Sequence, residues 1–215
     1  MIPPVSASLD VASVMSLRAR MPGNAAGDAA VGNALLGRVI DGLGRPLDGL
    51  GPVRASTRRP LVPPPLAPAD RARVRESLIT GVRALDGLLT LGRGQRVGIM
   101  AGTGVGKSIL LGQIARWAKA DVVVMALIGE RGREITDFIE TELAGPARAR
   151  TVTIAVPAGD APLLRVRGAE RAFAIAEHFR DQGKHVLLIL DSLSRVVHGA
   201  REVAFARGEN AGGRG

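Results

Sequence analysis

A chain of 215 residues, 46% apolar and 23% charged with a net charge of +9, has the make-up of a globular protein with one substantial core and argues against overall disorder. No apolar run of about 18 residues and no charged-then-apolar start is present, which excludes the usual membrane span and export signal and predicts a cytoplasmic chain. The absence of cysteine removes disulfides, thiolate metal sites and cysteine nucleophiles, and His178, His185 and His198 lack co-ligands at metal spacing.

The positive charge is carried by arginine, because Lys107, Lys119 and Lys184 are the only lysines. The arginines are scattered, and 2% aromatic residues offer nucleic-acid bases few stacking platforms. The expectation is therefore a basic surface without a specific nucleic-acid role.

Residues 1–30 show little periodicity, and Met21–Ala30 reads as loop, so the chain divides into an irregular segment 1–30 and a nucleotide-binding domain 31–215. Leu35–Ile40 is a short strand candidate, followed by a double turn at Asp41–Gly49. Five prolines between Pro60 and Pro68 predict an extended, exposed connector. Val82–Leu89 reads as a short helix, and Arg96–Met100 as a strand leading into Ala101-Gly102-Thr103-Gly104-Val105-Gly106-Lys107-Ser108.

That stretch has the composition of a phosphate-binding loop. Its glycines let backbone amides of Gly102, Thr103, Gly104, Val105 and Gly106 turn inward, Lys107 adds positive charge for the outer phosphates, and Ser108 offers a hydroxyl to magnesium. The helix expected from Ile109 to Ala120 would set its N-terminus against the anion.

Beyond the loop the pattern alternates regularly. Asp121–Ile128 is a continuous apolar run, expected as a strand buried on both faces of a parallel sheet. Gly132–Ala144 reads as a helix stopped by Gly145-Pro146, Thr151–Val156 as a β-branched strand, Leu163–Gln182 as a long amphipathic helix, and His185–Leu190 as a strand ending at Asp191. The fold class is α/β, a P-loop core with a mostly parallel sheet. Ligands of such sheets bind at the strands' carboxyl ends, which singles out Glu130 and Arg131 after one strand and Asp191 after another. Glu130 is expected to polarise an attacking water, Arg131 to pair with it or approach the γ-phosphate, and Asp191 to hold the magnesium shell with Ser108.

These residues resemble those of the ATPases of type III protein export systems, flagellar and virulence-associated, relatives of the catalytic subunit of rotary F-type ATP synthases. The matching stretches are Leu35–Val39, Pro46–Gly49, Gly81–Leu89, Gly94–Ile99, the loop with its leading Ala101, Ala126–Glu134, Phe179–Lys184 and Asp191–Leu193. The resemblance implies a RecA-like P-loop NTPase core whose sheet is incomplete in this chain, an ATPase using Mg2+ with ATP, a hexameric homo-oligomeric ring, and release of export cargo from chaperones to an export gate, with peripheral association at the inner membrane face. It places Glu130 on the family's catalytic glutamate. It also implies a chain shortened at both ends, with the β-barrel, arginine finger, adenine pocket and C-terminal helical domain outside it. The other readings are a rotary synthase subunit, a RecA-like RNA or DNA motor, and a catalytically weak nucleotide-binding fragment.

Overall fold

In the computed structural model, which describes residues 27–65, 67–102 and 104–209, strands and helices alternate as the apolar pattern predicts from residue 121 onward. The chain begins with β1 (Asp28–Val31), β2 (Val39–Ile40), β3 (Thr57–Pro60), β4 (Ser77–Leu78), α1 (Arg83–Leu88) and β5 (Leu91–Gly92). Helix α2 (Lys107–Trp117) follows the glycine loop. Then come β6 (Val122–Ile128), α3 (Gly132–Asp137), α4 (Pro146–Ala149), β7 (Thr151–Val156), α5 (Pro162–Asp181), β8 (Val186–Asp191) and α6 (Leu193–Ala206).

The central sheet has the order β2-β7-β6-β8, and every pairing in it is parallel. Val124 of β6 lies opposite Val152 of β7 on one side and Leu188 of β8 on the other. All seven residues of β6 are buried, and the two-residue side-chain period sorts them onto two faces. Val122, Val124, Ala126 and Ile128 pack with Ala172, Ile175 and Phe179 of α5. Val123, Met125 and Leu127 pack with Leu111, Ile114 and Ala115 of α2 and with Ile135 of α3. The expected α/β class with helices on both faces of a parallel sheet is observed.

Two antiparallel ribbons, β1-β3 and β4-β5, flank this layer. The first sits on α5: Ala29 and Val31 join the core, while Arg59 of β3 bonds Asp181 at 2.6 Å and Glu177 at 3.3 Å. Residues 28–30, expected as loop, are therefore strand. Their small side chains carry little intrinsic strand preference, and it is pairing with β3 that orders them. The expectation for residues 1–26 lies outside the described residues.

The strand expected at Arg96–Met100 is not formed. No residue of the segment pairs in a sheet, and Met100 is 93% exposed. A strand requires a neighbour's hydrogen-bonding edge, and the sheet ends at β8, whose outer edge carries no strand among the described residues. The expected strand at Leu35–Ile40 is shortened to β2 after a 3-10 turn at Asn33–Leu35.

After α3 the backbone widens into one π turn, Phe138–Glu142, closed by Leu143 N–H donating to Phe138 O at 3.2 Å. The extra residue re-aims Glu142 onto α2, where its carboxylate accepts from Arg116 and crosses Gly112. A Cβ at Gly112 would lie 2.4 Å from the Glu142 Oε2, so this crossing requires glycine.

The Asp48 side chain is fully buried. It accepts from Arg38 Nε at 2.7 Å and Nη2 at 2.9 Å, and from the amides of Val39 at 2.9 Å and Leu50 at 3.1 Å. The Arg38 guanidinium, opposed by burial and aided by those amides, holds the Asp48 carboxyl well below the usual carboxylate range. The stabilisation is present above the unfolded pKa of about 3.9 and is lost as pH falls below it. Asp48→Asn should cost about 2 kcal/mol in urea unfolding at pH 7, a difference that narrows toward pH 3; an unchanged midpoint at pH 7 would contradict this account.

Candidate functional site

The glycine loop enters α2 directly. Gly104 has φ 78° and Gly106 φ 91°, a left-handed backbone that other residues adopt only with strain. Gly106 occupies the N-cap position of α2, and no side chain caps the helix there. Its first-turn amides are thus left for an anion. Gly102, Gly104 and Val105 are exposed, Val105 at 67%, while Thr103 lies outside the described residues.

Lys107, the first residue of α2, reaches across to β8, and its ammonium donates to Asp191 Oδ1. Asp191 is 4% exposed and closes β8 in register with Leu127. β6 and β8 run parallel, so Glu130, two residues past the end of β6, comes out at the same edge of the sheet. Ser108, Glu130 and Asp191 line one cleft of about 250 Å³ with Glu134, Phe138 and Glu142. The fold thus brings Ser108, Glu130 and Asp191 to one cleft, and Lys107 meets them through Asp191.

The electrostatics of the cleft are dominated by carboxylates. Burial pushes the Glu130 carboxyl above its ordinary range, and repulsion from Asp191 pushes it further; Lys107 and Arg195 pull the other way. Arg131 does not join Glu130. Its side chain is 85% exposed, and its guanidinium stands 3.8 Å from Glu134 Oε1. Arg131 stands at the N-cap position of α3 in extended backbone, one residue past Glu130, and makes no side-chain cap there.

Arg195 was given no role by sequence reasoning. It sits in the first turn of α6. Its methylenes cross Gly129, whose φ is 76°, so closely that a Cβ there would lie 2.7 Å from Arg195 Cβ. The only available signal was its spacing, four residues after the strand-ending Asp191.

No group of three or more histidine, cysteine or carboxylate residues among the described residues could hold a metal ion by itself. A hydroxyl and a buried carboxylate, Ser108 and Asp191, line the cleft as hard oxygen donors of the kind that suits a cation completing its shell from water and phosphate, as magnesium does. The residues present fit that ion.

Residues 81–215 match the model of the ATP synthase alpha/beta family, nucleotide-binding domain. The flagellum-specific ATP synthase of Salmonella typhimurium is 56% identical over 179 residues, which make up 83% of this chain and 39% of that protein. The chain thus spans about two fifths of the length of this relative. Among solved structures, a prototypical ATPase from the type III secretion system of pathogenic bacteria superposes with a TM-score of 0.82 at 46% identity, over 88% of this chain and 54% of that one. The ATPase EscN of enteropathogenic E. coli, assembled with its central stalk EscO, gives 0.80 at 47% identity, over 85% and 45% of the respective chains.

A carboxyl whose pKa is raised by folding opposes folding once it ionises. Glu130→Gln should therefore raise the melting temperature at pH 7 and leave it nearly unchanged near pH 3, below the ordinary glutamate pKa of about 4.3. Melting curves at the two pH values test this, and a destabilised variant at pH 7 would contradict it.

Proposed function

The chain belongs to the ATP synthase alpha/beta family, and from that membership we propose that it is the Mg-ATP-hydrolysing subunit of a type III protein export apparatus. The observation that carries this reading is the meeting of Ser108, Glu130 and Asp191 in one cleft at the carboxyl ends of β6 and β8, with Lys107 bonded to Asp191. Export ATPases among the similar proteins and Ala101 at the head of the loop favour export over a rotary synthase. A nucleic-acid motor finds no aromatic platform here.

In this reading the amides of Gly102, Thr103, Gly104, Val105, Gly106 and Lys107 cradle the phosphates, and the Lys107 ammonium neutralises the outer ones. Ser108 and Asp191 would hold the magnesium. When bound, that ion supplies charge neutralisation on the phosphate oxygens. Glu130 orients and polarises the attacking water, and its raised proton affinity makes it a better base than an ordinary carboxylate. Arg131, exposed and only loosely tied to Glu134, is left to approach the γ-phosphate.

The working form we propose is a hexameric ring of such subunits, with residues 31–215 forming the nucleotide-binding domain. Its partners are export chaperones, cargo and the components of an export gate, and its place is the cytoplasm, at the inner face of the membrane. No helix among the described residues is long and apolar enough to cross one. The assembled EscN supports the ring. For these 215 residues alone, the approach to the loop at Arg96–Met100, which joins no sheet, favours nucleotide binding with little turnover.

In the assembled ring, Glu130→Gln should keep Mg-ATP bound while lowering the hydrolysis rate by about a hundredfold or more. Phosphate release and nucleotide binding, measured on the same preparation, check this; near-normal turnover would overturn the role of Glu130. The 215-residue chain should bind Mg-ATP yet hydrolyse it at least about a thousandfold more slowly than a ring with a finger from a neighbouring subunit. Brisk steady-state hydrolysis by the chain alone would contradict that.

A further inference from the structure

The Lys107–Asp191 ion pair joins two groups that the proposed function assigns to different ligands, the ammonium to phosphate and the carboxylate to the metal. We infer that this pair makes the site select metal-loaded nucleotide and reject free nucleotide, with Asp191 as the specificity-determining residue. The inference rests on the nucleotide-binding reading of the site and specifies which form of the ligand it takes.

The geometry supplies the reason. Asp191 is 4% exposed, and the one side-chain hydrogen bond its carboxylate accepts among the described residues comes from Lys107. Lys107 itself is 28% exposed on its side chain, at the mouth of the loop, and can swing to an incoming phosphate. If it does so alone, a buried carboxylate is left without a partner. That carboxylate then faces a second one, since Glu130 is close enough to repel it. Both line the cleft that the phosphates enter. An uncompensated buried charge opposed by two further negative groups is costly. Free triphosphate must bear that cost; a divalent cation arriving with it replaces the ammonium on Asp191 and removes it.

The coupling is reciprocal. In the ligand-free chain Lys107 also competes with a divalent cation for Asp191, so metal alone should bind poorly. Each ligand releases the residue that the other needs. This differs from a site in which Asp191 acts only as a metal ligand, where its removal leaves the affinity for metal-free nucleotide untouched.

The 215-residue chain can be tested directly by calorimetry with ATP, once in excess EDTA and once in excess Mg2+. The wild-type chain should bind ATP about a hundredfold more tightly with Mg2+. Asp191→Asn, which frees Lys107 while keeping the side-chain shape, should bind metal-free ATP about tenfold more tightly than wild type, with the enhancement by Mg2+ reduced to a few-fold. Glu134→Gln removes a charge from the same cleft but leaves the pair intact, and should change metal-free affinity by less than about threefold. As an independent arm, Lys107→Gln should bind Mn2+ alone several-fold more tightly than wild type, read by the loss of free-ion electron paramagnetic resonance signal. Unchanged or weaker metal-free binding by Asp191→Asn, or an equal gain in Glu134→Gln, overturns the inference while leaving the nucleotide reading in place. Failure of every chain to bind ATP in either buffer overturns the nucleotide reading and the inference with it.

Discussion

Burial of β6 on both faces is the constraint from which the rest of the molecule follows. Seven consecutive apolar residues cannot face water on either side, so the strand demands a neighbour on each edge and a helical layer above and below. Parallel β7 and β8 meet the first demand, and α5 with α2 and α3 meet the second. Parallel pairing forces each connection to cross a face and return, which brings the ends of β6 and β8 out at one edge. Glu130 and Asp191 are neighbours for that reason, although 61 residues separate them in the chain.

The price of this convergence is electrostatic. Glu130, Glu134, Glu142 and Asp191 surround a single cleft, with Lys107 on Asp191 and Arg116 on Glu142 as the nearest hydrogen-bonded cations. Glu130 has neither, and burial, followed by repulsion from Asp191, raises its proton affinity. A protein selected for stability alone would not keep a carboxyl there; under the proposed function it serves as a base set beside phosphate and metal. Arg195, threaded over Gly129, restrains the repulsion without abolishing it.

The parts of the fold legible in the sequence are those where one physical signal dominates. Continuous apolar runs located β6, β7 and β8; a three- and four-residue spacing located α5; and paired glycines before Lys107-Ser108 located the loop. Strand ends followed by Glu130 and Asp191 then placed the site. What escaped notice depends on distant partners. Arg96–Met100 has a strand's composition yet no edge to pair with, β1 is ordered by β3 rather than by its own residues, and the π turn exists to lay Glu142 across Gly112. Arg131 pointed the same way as Glu130 in the linear pattern, but the extended backbone entering α3 separates them. No periodicity could have shown that Arg195 lies over Gly129, because that contact joins the turn after β6 to the first turn of α6 across the sheet edge.

The central claim is that the loop and the two strand ends form one nucleotide site. Amide hydrogen exchange on the 215-residue chain, with and without Mg-ATP, tests it most directly. Binding at this site should slow exchange in a peptide spanning residues 101–110 and in peptides covering Glu130 and Asp191, while the buried centre of β7 stays unchanged. Protection elsewhere on the surface with none in the loop peptide would contradict the account.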